Sequence, residues 1–520
     1  LQFLQERRER VCYKPLNSRV LYTYLITQTV LPRYNFIVFT LNSDVSAELH
    51  RLLLLKCKYV ETDPKDICLL LFVVLDIKQK RHRPPRVCET KECLRSAANL
   101  ALSMDNSADP CDDFYKYVCG NWAVDHPRPD AYRSYDWFRD KQTKVYTVVR
   151  DFLSGNGSGP RPVQQAKDMY AACMDTETLD KLGLKPVIKV LESLNLPPYP
   201  TFVNITEDFD YSSYNFDWLE TVIQVKVKLG MDVLIGFDLF TDPRNSSVYR
   251  LVMGSPETTN PFPSNNATAF PIWKRYLEGV FNISNVELDF KNDKILVSDA
   301  DLKYMALMSA LVAKTPPVVL ELYVWIKVLM SVHTTSEIRT LFQRSYDAIH
   351  PHPRAPTPRS LMCASAVNDL MGMAVSYAIA DPSFYNVTKP KIKTMLHEMK
   401  NALSHLVGQV KWMDDDTKVA TYQKIIQMKS LIGFPDWLLD EGKLEQYYEG
   451  VEVNVDTHLD NMIHIIQVKI KKALNRFRGG NNFTWATDPT EVNAYHTFQE
   501  NTITIPLVML QYPFFDLGLE

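Results

Sequence analysis

The feature that most constrains the fold is a long stretch of helical periodicity between about residues 300 and 478. Apolar side chains recur there at the 3.6-residue spacing of amphipathic helices. This spacing predicts helices over Asp301–Lys314, Ser336–Ala348, Leu361–Ile379, Lys389–Met413 and Asp456–Arg478. Glycine, which weakens helices, is scarce at 17 of 520 residues. We therefore expect a mainly helical protein.

A few stretches have other patterns. The segments Met231–Phe240 and Ser247–Met253 flank a turn-forming sequence, which predicts a β-hairpin. Thr502–Pro506 has the alternation typical of a strand. The Pro-rich segment Pro197–Pro200 and the Asn/Pro/Ser-rich segment Thr258–Pro271 predict loops.

A change in sequence character near Cys88 predicts a domain boundary. Residues 1–86 show no clear period and end in a basic, linker-like stretch, whereas regular amphipathic segments follow Cys88. The apolar run Ile67–Leu75 has nine residues, and a bilayer span needs about 20. We expect an unassigned segment at 1–86, a helical domain from residue 87 and no transmembrane helix; any membrane attachment would need an anchor that these residues do not contain.

Charge and glycosylation signals limit the compartment and the partners. Lys and Arg total 58 and Asp and Glu total 61, so the basic footprint of a nucleic-acid-binding protein is absent. Seven N-x-S/T sequons are present, at Asn156, Asn204, Asn245, Asn266, Asn282, Asn386 and Asn482. Their number favours a glycosylated domain that is extracellular or forms a plasma-membrane ectodomain, where disulfide bonds are permitted.

Motifs for common enzyme classes are missing or incomplete. The sequence has no G-x-S-x-G nucleophile elbow and no phosphate-binding loop. His397-Glu398 begins like the zinc motif H-E-x-x-H, but Asn401 stands where the second histidine is needed. Two histidines four residues apart place both imidazoles on one helix face, so this segment cannot form that chelate. We interpret His397 as an ordinary helix residue.

Two specific motifs carry a family resemblance. The first is Cys88-x4-Cys93 followed by D-P-C-D-D-F-Y-K-Y-V-C-G-N-W at 109–122, and the second is E-V-N-A-Y-H at 491–496 followed by P-F-F at 513–515. From Cys88 onward the chain resembles the neprilysin and endothelin-converting-enzyme family of zinc metalloendopeptidases. The resemblance implies a large helical N-terminal lobe with a small β-hairpin over 87–480. It also implies the first edge strand of a thermolysin-like catalytic lobe, otherwise missing, over 481–520.

The resemblance implies roles for individual residues. It implies a local disulfide, Cys88–Cys93, and a long-range one, Cys173–Cys363. Cys111 and Cys119 match cysteines whose family partners lie beyond residue 520, so both are expected to lack a partner in this chain.

It further implies a substrate site along the V-N-A-Y segment, which is the family's active-site edge strand. The Asn493 side chain and the Ala494 carbonyl would bond an extended peptide substrate. Arg139 matches an arginine near the substrate carboxylate. The family's companion arginine falls on Ala131, and Arg133 is offset by two positions; this departure weighs against carboxylate-directed dipeptide trimming.

The family's zinc ligands have no counterparts in these residues. Neither H-E-x-x-H nor the following E-x-x-x-D helix occurs, so zinc, the cofactor of the family, is not expected to bind this chain. We expect the chain alone to be inactive and residues 481–520 to form an orphan strand with an open edge. Two hypotheses remain open. The chain is a fragment of an active extracellular zinc endopeptidase that cuts peptides on the amino side of hydrophobic residues, or it is a secreted, non-catalytic peptide-binding or decoy relative.

Overall fold

The computed structural model describes residues 88–518 except 212, 243, 257–264, 267–270, 294, 333–335, 350–354, 480–484 and 486. The chain folds into two compact units: one runs from Pro127 to Leu517, and the other includes residues 88–126 and Gly518. The predictions for residues 1–86 and the sequon at Asn482 lie outside the described residues.

Helices dominate the described residues, which confirms the predicted fold class. They are α1 (Lys91–Ser103), α2 (Phe114–Cys119), α3 (Trp122–Asp125), α4 (Trp137–Ser154), α5 (Arg161–Met174), α6 (Thr176–Leu182), α7 (Lys185–Ser193), α8 (Trp218–Leu229), α9 (Pro271–Ile283), α10 (Asp299–Lys314), α11 (Pro317–Ser331), α12 (Ser336–Ile349), α13 (Arg359–Ser376), α14 (Thr388–Gln409), α15 (Asp415–Gln427), α16 (Glu441–Tyr447) and α17 (His458–Arg476). The five helices predicted from periodicity are α10, α12, α13, α14 and α17, and only their ends differ from the prediction.

The described strands form two small sheets. They are β1 (Gly236–Asp242), β2 (Asn245–Gly254), β3 (Asn265–Asn266), β4 (Ile295–Val297), β5 (Lys429–Gly433), β6 (Tyr495–Thr497) and β7 (Thr502–Pro506). The predicted hairpin is confirmed, because β1 and β2 pair antiparallel with Phe237 opposite Met253. It belongs to a sheet of order β1-β2-β4-β3, and the second sheet has the order β5-β7-β6.

The strand predicted at Thr502–Pro506 is present as β7, but the expectation that it would be an orphan is wrong. β7 is the central strand of its sheet: it pairs in parallel with β5, where Ile432 lies opposite Ile505, and antiparallel with β6. β5 follows helix α15 directly, so the helical part of the chain supplies the partner. The outer strands of this sheet are therefore β5 and β6, and β6 is the one next to the V-N-A-Y segment.

Two hydrophobic cores lie within the larger unit. The first surrounds α8, α9 and the β1–β2 hairpin, and contains the fully buried side chains of Trp273 and Phe281. The second joins α4, α5 and α13 to β5 and contains Cys173, Cys363 and Phe434. By packing α4 against α13, this core positions the candidate site.

Both disulfides implied by the resemblance, Cys88–Cys93 and Cys173–Cys363, are present. Cys111 is also disulfide-bonded, so the expectation that it lacks a partner in this chain is wrong. Cys119 is a free thiol among the described residues. No described helix is both long enough and apolar enough to cross a membrane.

Candidate functional site

The V-N-A-Y segment leads into the edge strand rather than forming it. Strand β6 begins at Tyr495, so the interpretation of all four residues as strand is corrected: Val492, Asn493 and Ala494 precede β6. Val492 is buried, whereas Asn493 and Ala494 are exposed. The two residues implied to bind substrate are thus solvent-accessible, just before the β6 edge of the second sheet.

A single side chain on α4 holds this segment in place. Gln142 Oε1 accepts the backbone N–H of Val492 at 2.9 Å, and Gln142 Nε2 donates to the carbonyl of Thr490 at 3.2 Å. One amide therefore satisfies two backbone groups on either side of Glu491. This contact fixes the chain conformation immediately before Asn493.

Helix α13 fixes the same segment from within the core. Thr490 Oγ1 donates to Asn368 Oδ1 at 2.7 Å, and both residues are buried. A buried hydrogen bond of this kind is costly to break, because an unpaired polar atom would remain in the core. Together, Gln142 and Asn368 bind residues 490–492 to two helices of the second core.

Local hydrogen bonds orient the exposed residues. Asn493 Oδ1 accepts the N–H of Ala494 at 2.9 Å, and its Nδ2 donates to Tyr495 Oη at 3.2 Å. Tyr495 Oη in turn donates to Glu491 Oε1 at 3.0 Å. Burial, followed by the neighbouring Glu491 carboxylate, raises the pKa of Tyr495. The Asn493 amide is therefore held in one orientation and retains a second N–H.

Arg139 lies one helical turn before Gln142 on the same face of α4. Its backbone N–H donates to Oδ1 of Asp136 at 2.8 Å. Its side chain is exposed, and the guanidinium carbon lies 5.4 Å from the centroid of the Tyr132 ring. Arg139, Gln142 and Asp369 line a cavity of about 360 Å³. The α4 face therefore brings a cation and the Gln142 amide into one concave site.

Three carboxylates interact electrostatically beside this site. Asp369 on α13 lines the cavity, whereas Asp488 and Glu491, on the chain segment that includes Thr490, do not. Burial raises the pKa of Asp369, and the nearby Glu491 raises it further. Burial raises the pKa of Asp488 to about 6 despite the proximity of Lys469, with Glu491 and Asp369 adding to the increase.

Of the residues singled out from the sequence, some lie at this site and others do not. Arg139, Asn493 and Ala494 lie on elements that Gln142 joins. Ala131 is half-buried and Arg133 is exposed, and neither is among the residues that line the cavity. Sequence reasoning missed Gln142, although its position three residues after Arg139 on one helix places both on the same face.

The described residues do not supply a zinc site. No three His, Cys, Asp or Glu side chains within them are placed to share a metal ion. His397 is an exposed residue of α14 whose Nε2 lies 3.1 Å from Nδ2 of Asn401. Its interpretation as an ordinary helix residue agrees with this geometry.

A family model matches a large part of the chain. The model described as peptidase family M13 matches residues 110–269 and 258–435. The chain is 23% identical over 519 residues to an endothelin-converting enzyme homolog of Locusta migratoria, covering 84% of this chain and 70% of the relative. It is 22% identical to mouse neprilysin, covering 82% and 68%. Across these and similar relatives it spans 60 to 70% of their length.

Solved structures support the same architecture. The zinc metalloprotease Zmp1 of Mycobacterium tuberculosis, in complex with an inhibitor, matches with a TM-score of 0.61 at 17% identity, covering 81% of this chain and 71% of that one. PepO from Lactobacillus rhamnosis matches with a TM-score of 0.59 at 15% identity, covering 79% and 73%. At such identities the likeness concerns the fold.

Proposed function

Because this chain belongs to peptidase family M13, we propose that it binds an extended peptide along strand β6 as part of a neprilysin-like zinc metalloendopeptidase. The observation that carries the proposal is the Gln142 amide, which holds the backbone at Thr490 and Val492 directly before the exposed Asn493. A segment fixed in this way offers its polar groups to a ligand at little entropic cost.

The mode of binding is strand addition. β6 is an outer strand of the β5-β7-β6 sheet, and its outward backbone groups would pair with those of a peptide. The remaining N–H of the Asn493 amide would donate to a peptide carbonyl, and the Ala494 carbonyl would accept a peptide N–H. Arg139 would attract a peptide carboxylate, because its guanidinium is exposed and always charged.

Hydrolysis belongs to the proposal for the whole protein. A zinc ion would polarise the scissile carbonyl and activate water, but the described residues contain no set of ligands that fits one. We therefore derive no catalytic step from them. The residues described here would bind and orient the peptide.

An extracellular or cell-surface location is part of the proposal. Five sequon asparagines are exposed: Asn156, Asn204, Asn245, Asn282 and Asn386. The disulfides Cys88–Cys93 and Cys173–Cys363 favour the same oxidising compartment. Intact mass before and after enzymatic deglycosylation of the protein secreted from eukaryotic cells tests this assignment.

A binding titration tests the peptide site. The probe is a fluorescent peptide with a central hydrophobic residue and a free C-terminal carboxylate, followed by fluorescence anisotropy. We expect Asn493→Ala to weaken binding about fivefold, since a side-chain hydrogen bond contributes about 1 kcal/mol. Arg139→Gln should weaken binding of the peptide with a free C-terminal carboxylate, but not binding of the same peptide with a C-terminal amide. Arg133→Gln serves as the matched control. Unchanged affinity in both site variants would contradict the proposal.

A cleavage assay distinguishes the enzyme from the non-catalytic alternative. The same peptide is incubated with the protein and analysed by mass spectrometry, with and without a zinc chelator. Chelator-sensitive cleavage supports the endopeptidase. Binding without cleavage at added zinc supports a peptide-binding relative.

A further inference from the structure

The cavity that Arg139 lines lies between two helices that pack against each other, α4 and α13. The α4 residues at this cavity are Arg139, Gln142, Thr143 and Tyr146, and the α13 residues include Met362, Ser365, Ala366 and Asp369. In each helix these four residues have the spacing i, i+3, i+4 and i+7, which places them on one helix face. The two faces therefore form two walls of one concave site.

The two walls carry charges of opposite sign. Arg139 is on the α4 wall and Asp369 is on the α13 wall; both are exposed, and the other lining residues are uncharged. Neither side chain forms an ion pair within the part of the chain that the structure describes. Lys469 on α17 donates to the backbone carbonyl of Asp369 at 3.0 Å, not to its carboxylate, and does not line the cavity. Both charges are therefore available to a ligand.

The phenol of Tyr146 is a cavity-lining group on which both charges act. Burial raises its pKa, and a hydrogen bond to Ser365 across the two helices lowers it. Asp369 and Glu491 then raise this pKa, whereas Arg139 lowers it. The cation and the carboxylate thus influence the same point of a cavity that both of them line.

Asp369 makes the cavity selective among peptides that carry a carboxylate. A peptide carboxylate at Arg139 would bring a second negative charge into the cavity that Asp369 lines, and like charges repel. A neutral side chain on the same peptide residue would leave the Asp369 carboxylate desolvated and unpaired, which is unfavourable. A cationic side chain would instead form an ion pair with Asp369, so the cavity favours a residue that has both a carboxylate and a cation.

We propose that this cavity selects peptides whose last residue is Arg or Lys: Asp369 binds the cationic side chain while Arg139 binds the C-terminal carboxylate. The inference rests on the proposed peptide-binding function and adds a specificity-determining residue to it. Gln142 lines the cavity and also holds the backbone at Thr490 and Val492, so the cavity adjoins the segment where the peptide would bind. Its volume, about 360 Å³, is at the lower end for ligand pockets and suits a single residue.

Fluorescence anisotropy of the full chain with two matched peptides tests this selection. Both are the fluorescent peptide of the binding titration; one ends in Arg and the other in citrulline, which has nearly the shape of Arg but no charge. The wild type should bind the Arg peptide about tenfold more tightly, the effect of one charge-assisted hydrogen bond. Asp369→Asn should weaken the Arg peptide to the affinity of the citrulline peptide. Asp456→Asn is the matched control, because Asp456 is exposed and does not line the cavity, and should keep the preference.

A charge reversal provides a second test. Asp369→Lys should prefer a peptide that ends in Glu over one that ends in Gln, and thermal unfolding of each variant verifies folding. Equal affinity of the wild type for the Arg and citrulline peptides, or a preference that persists in folded Asp369→Asn, would overturn the inference and leave the proposed function intact. If the wild type bound neither peptide, the proposed function would fail and this inference with it.

Discussion

Gln142 Oε1 on helix α4 accepts the backbone N–H of Val492 at 2.9 Å. This contact joins the helix that carries Arg139 to the segment that carries Asn493 and Ala494. The two residues are 350 positions apart in sequence, so the relationship exists only in the folded chain. Gln142, together with Asn368 on α13, thereby fixes the geometry of the proposed peptide site.

Replacing Gln142 tests whether its side chain holds the segment before Asn493 in place. Gln142→Met keeps the length of the side chain but removes both hydrogen bonds, leaving the Val492 N–H unpaired in a part-buried position. We expect a loss of about 1–3 kcal/mol in the free energy of unfolding and weaker peptide binding. Gln164→Met is the control, because Gln164 is exposed on α5 and its side chain hydrogen-bonds only Asp168 among the described residues. Equal effects of the two substitutions would contradict the role assigned to Gln142.

The Asp488 carboxyl predicts a stability change at mildly acidic pH. Burial raises its pKa to about 6 in the folded state, against 3.8 for the free group. The folded chain therefore holds this proton more tightly than the unfolded chain does. The resulting contribution to the free energy of unfolding is fully present below about pH 4 and is lost as the pH rises through 6. Asp488→Asn should raise the free energy of unfolding at pH 7.5 by at most about 3 kcal/mol, with no gain at pH 4. Urea unfolding at both pH values measures this, and a pH-independent effect would contradict it.

His458 predicts the opposite pH dependence. Burial at the start of α17, followed by the charge of Arg359, lowers its pKa to about 4, and its Nδ1 has no hydrogen-bond partner among the described residues. The folded state excludes a proton that the unfolded state binds below about pH 6.5, so stability is lost as the pH falls from 6.5 to 4. His458→Asn should reduce this loss in urea unfolding, whereas His405→Asn, at an exposed position, should not. An unchanged acid profile in the first variant would contradict the assignment.

The disulfides Cys173–Cys363 and Cys88–Cys93 should differ in their contribution to stability. Cys173–Cys363 closes a loop with a sequence separation of 190, whereas Cys88–Cys93 spans 5. Loop-closure entropy gives about 5 kcal/mol for the first and about 2 kcal/mol for the second. The double variant Cys173→Ala/Cys363→Ala should therefore lower the unfolding temperature more than Cys88→Ala/Cys93→Ala. Equal decreases in calorimetry would contradict this ranking.

Periodicity predicted α10, α12, α13, α14 and α17 to within a few residues at each end, because apolar residues recur in them at helical spacing. α11 was not predicted, because a helix that is apolar on all sides has no period. β5 was missed because Lys429–Gly433 is short and follows α15 directly, with no turn signal between them.

The candidate site was only partly predictable from sequence. The resemblance supplied Arg139, Asn493 and Ala494 from local motifs. It did not supply Gln142 or Asn368, because their partners are backbone and side-chain atoms of a distant segment, which no local pattern specifies. The disulfide at Cys111 was missed for a similar reason: cysteine pairing depends on the fold and not on spacing alone.

Hydrogen–deuterium exchange with mass spectrometry tests the central claim most directly, because it locates a bound peptide on the chain. The protein is measured alone, with saturating peptide, and with an N-methylated peptide whose backbone cannot pair with an edge strand. We predict slower exchange over residues 493–499 with the unmodified peptide only. Unchanged exchange there at saturation, or equal protection by the N-methylated peptide, would contradict binding by strand addition at β6.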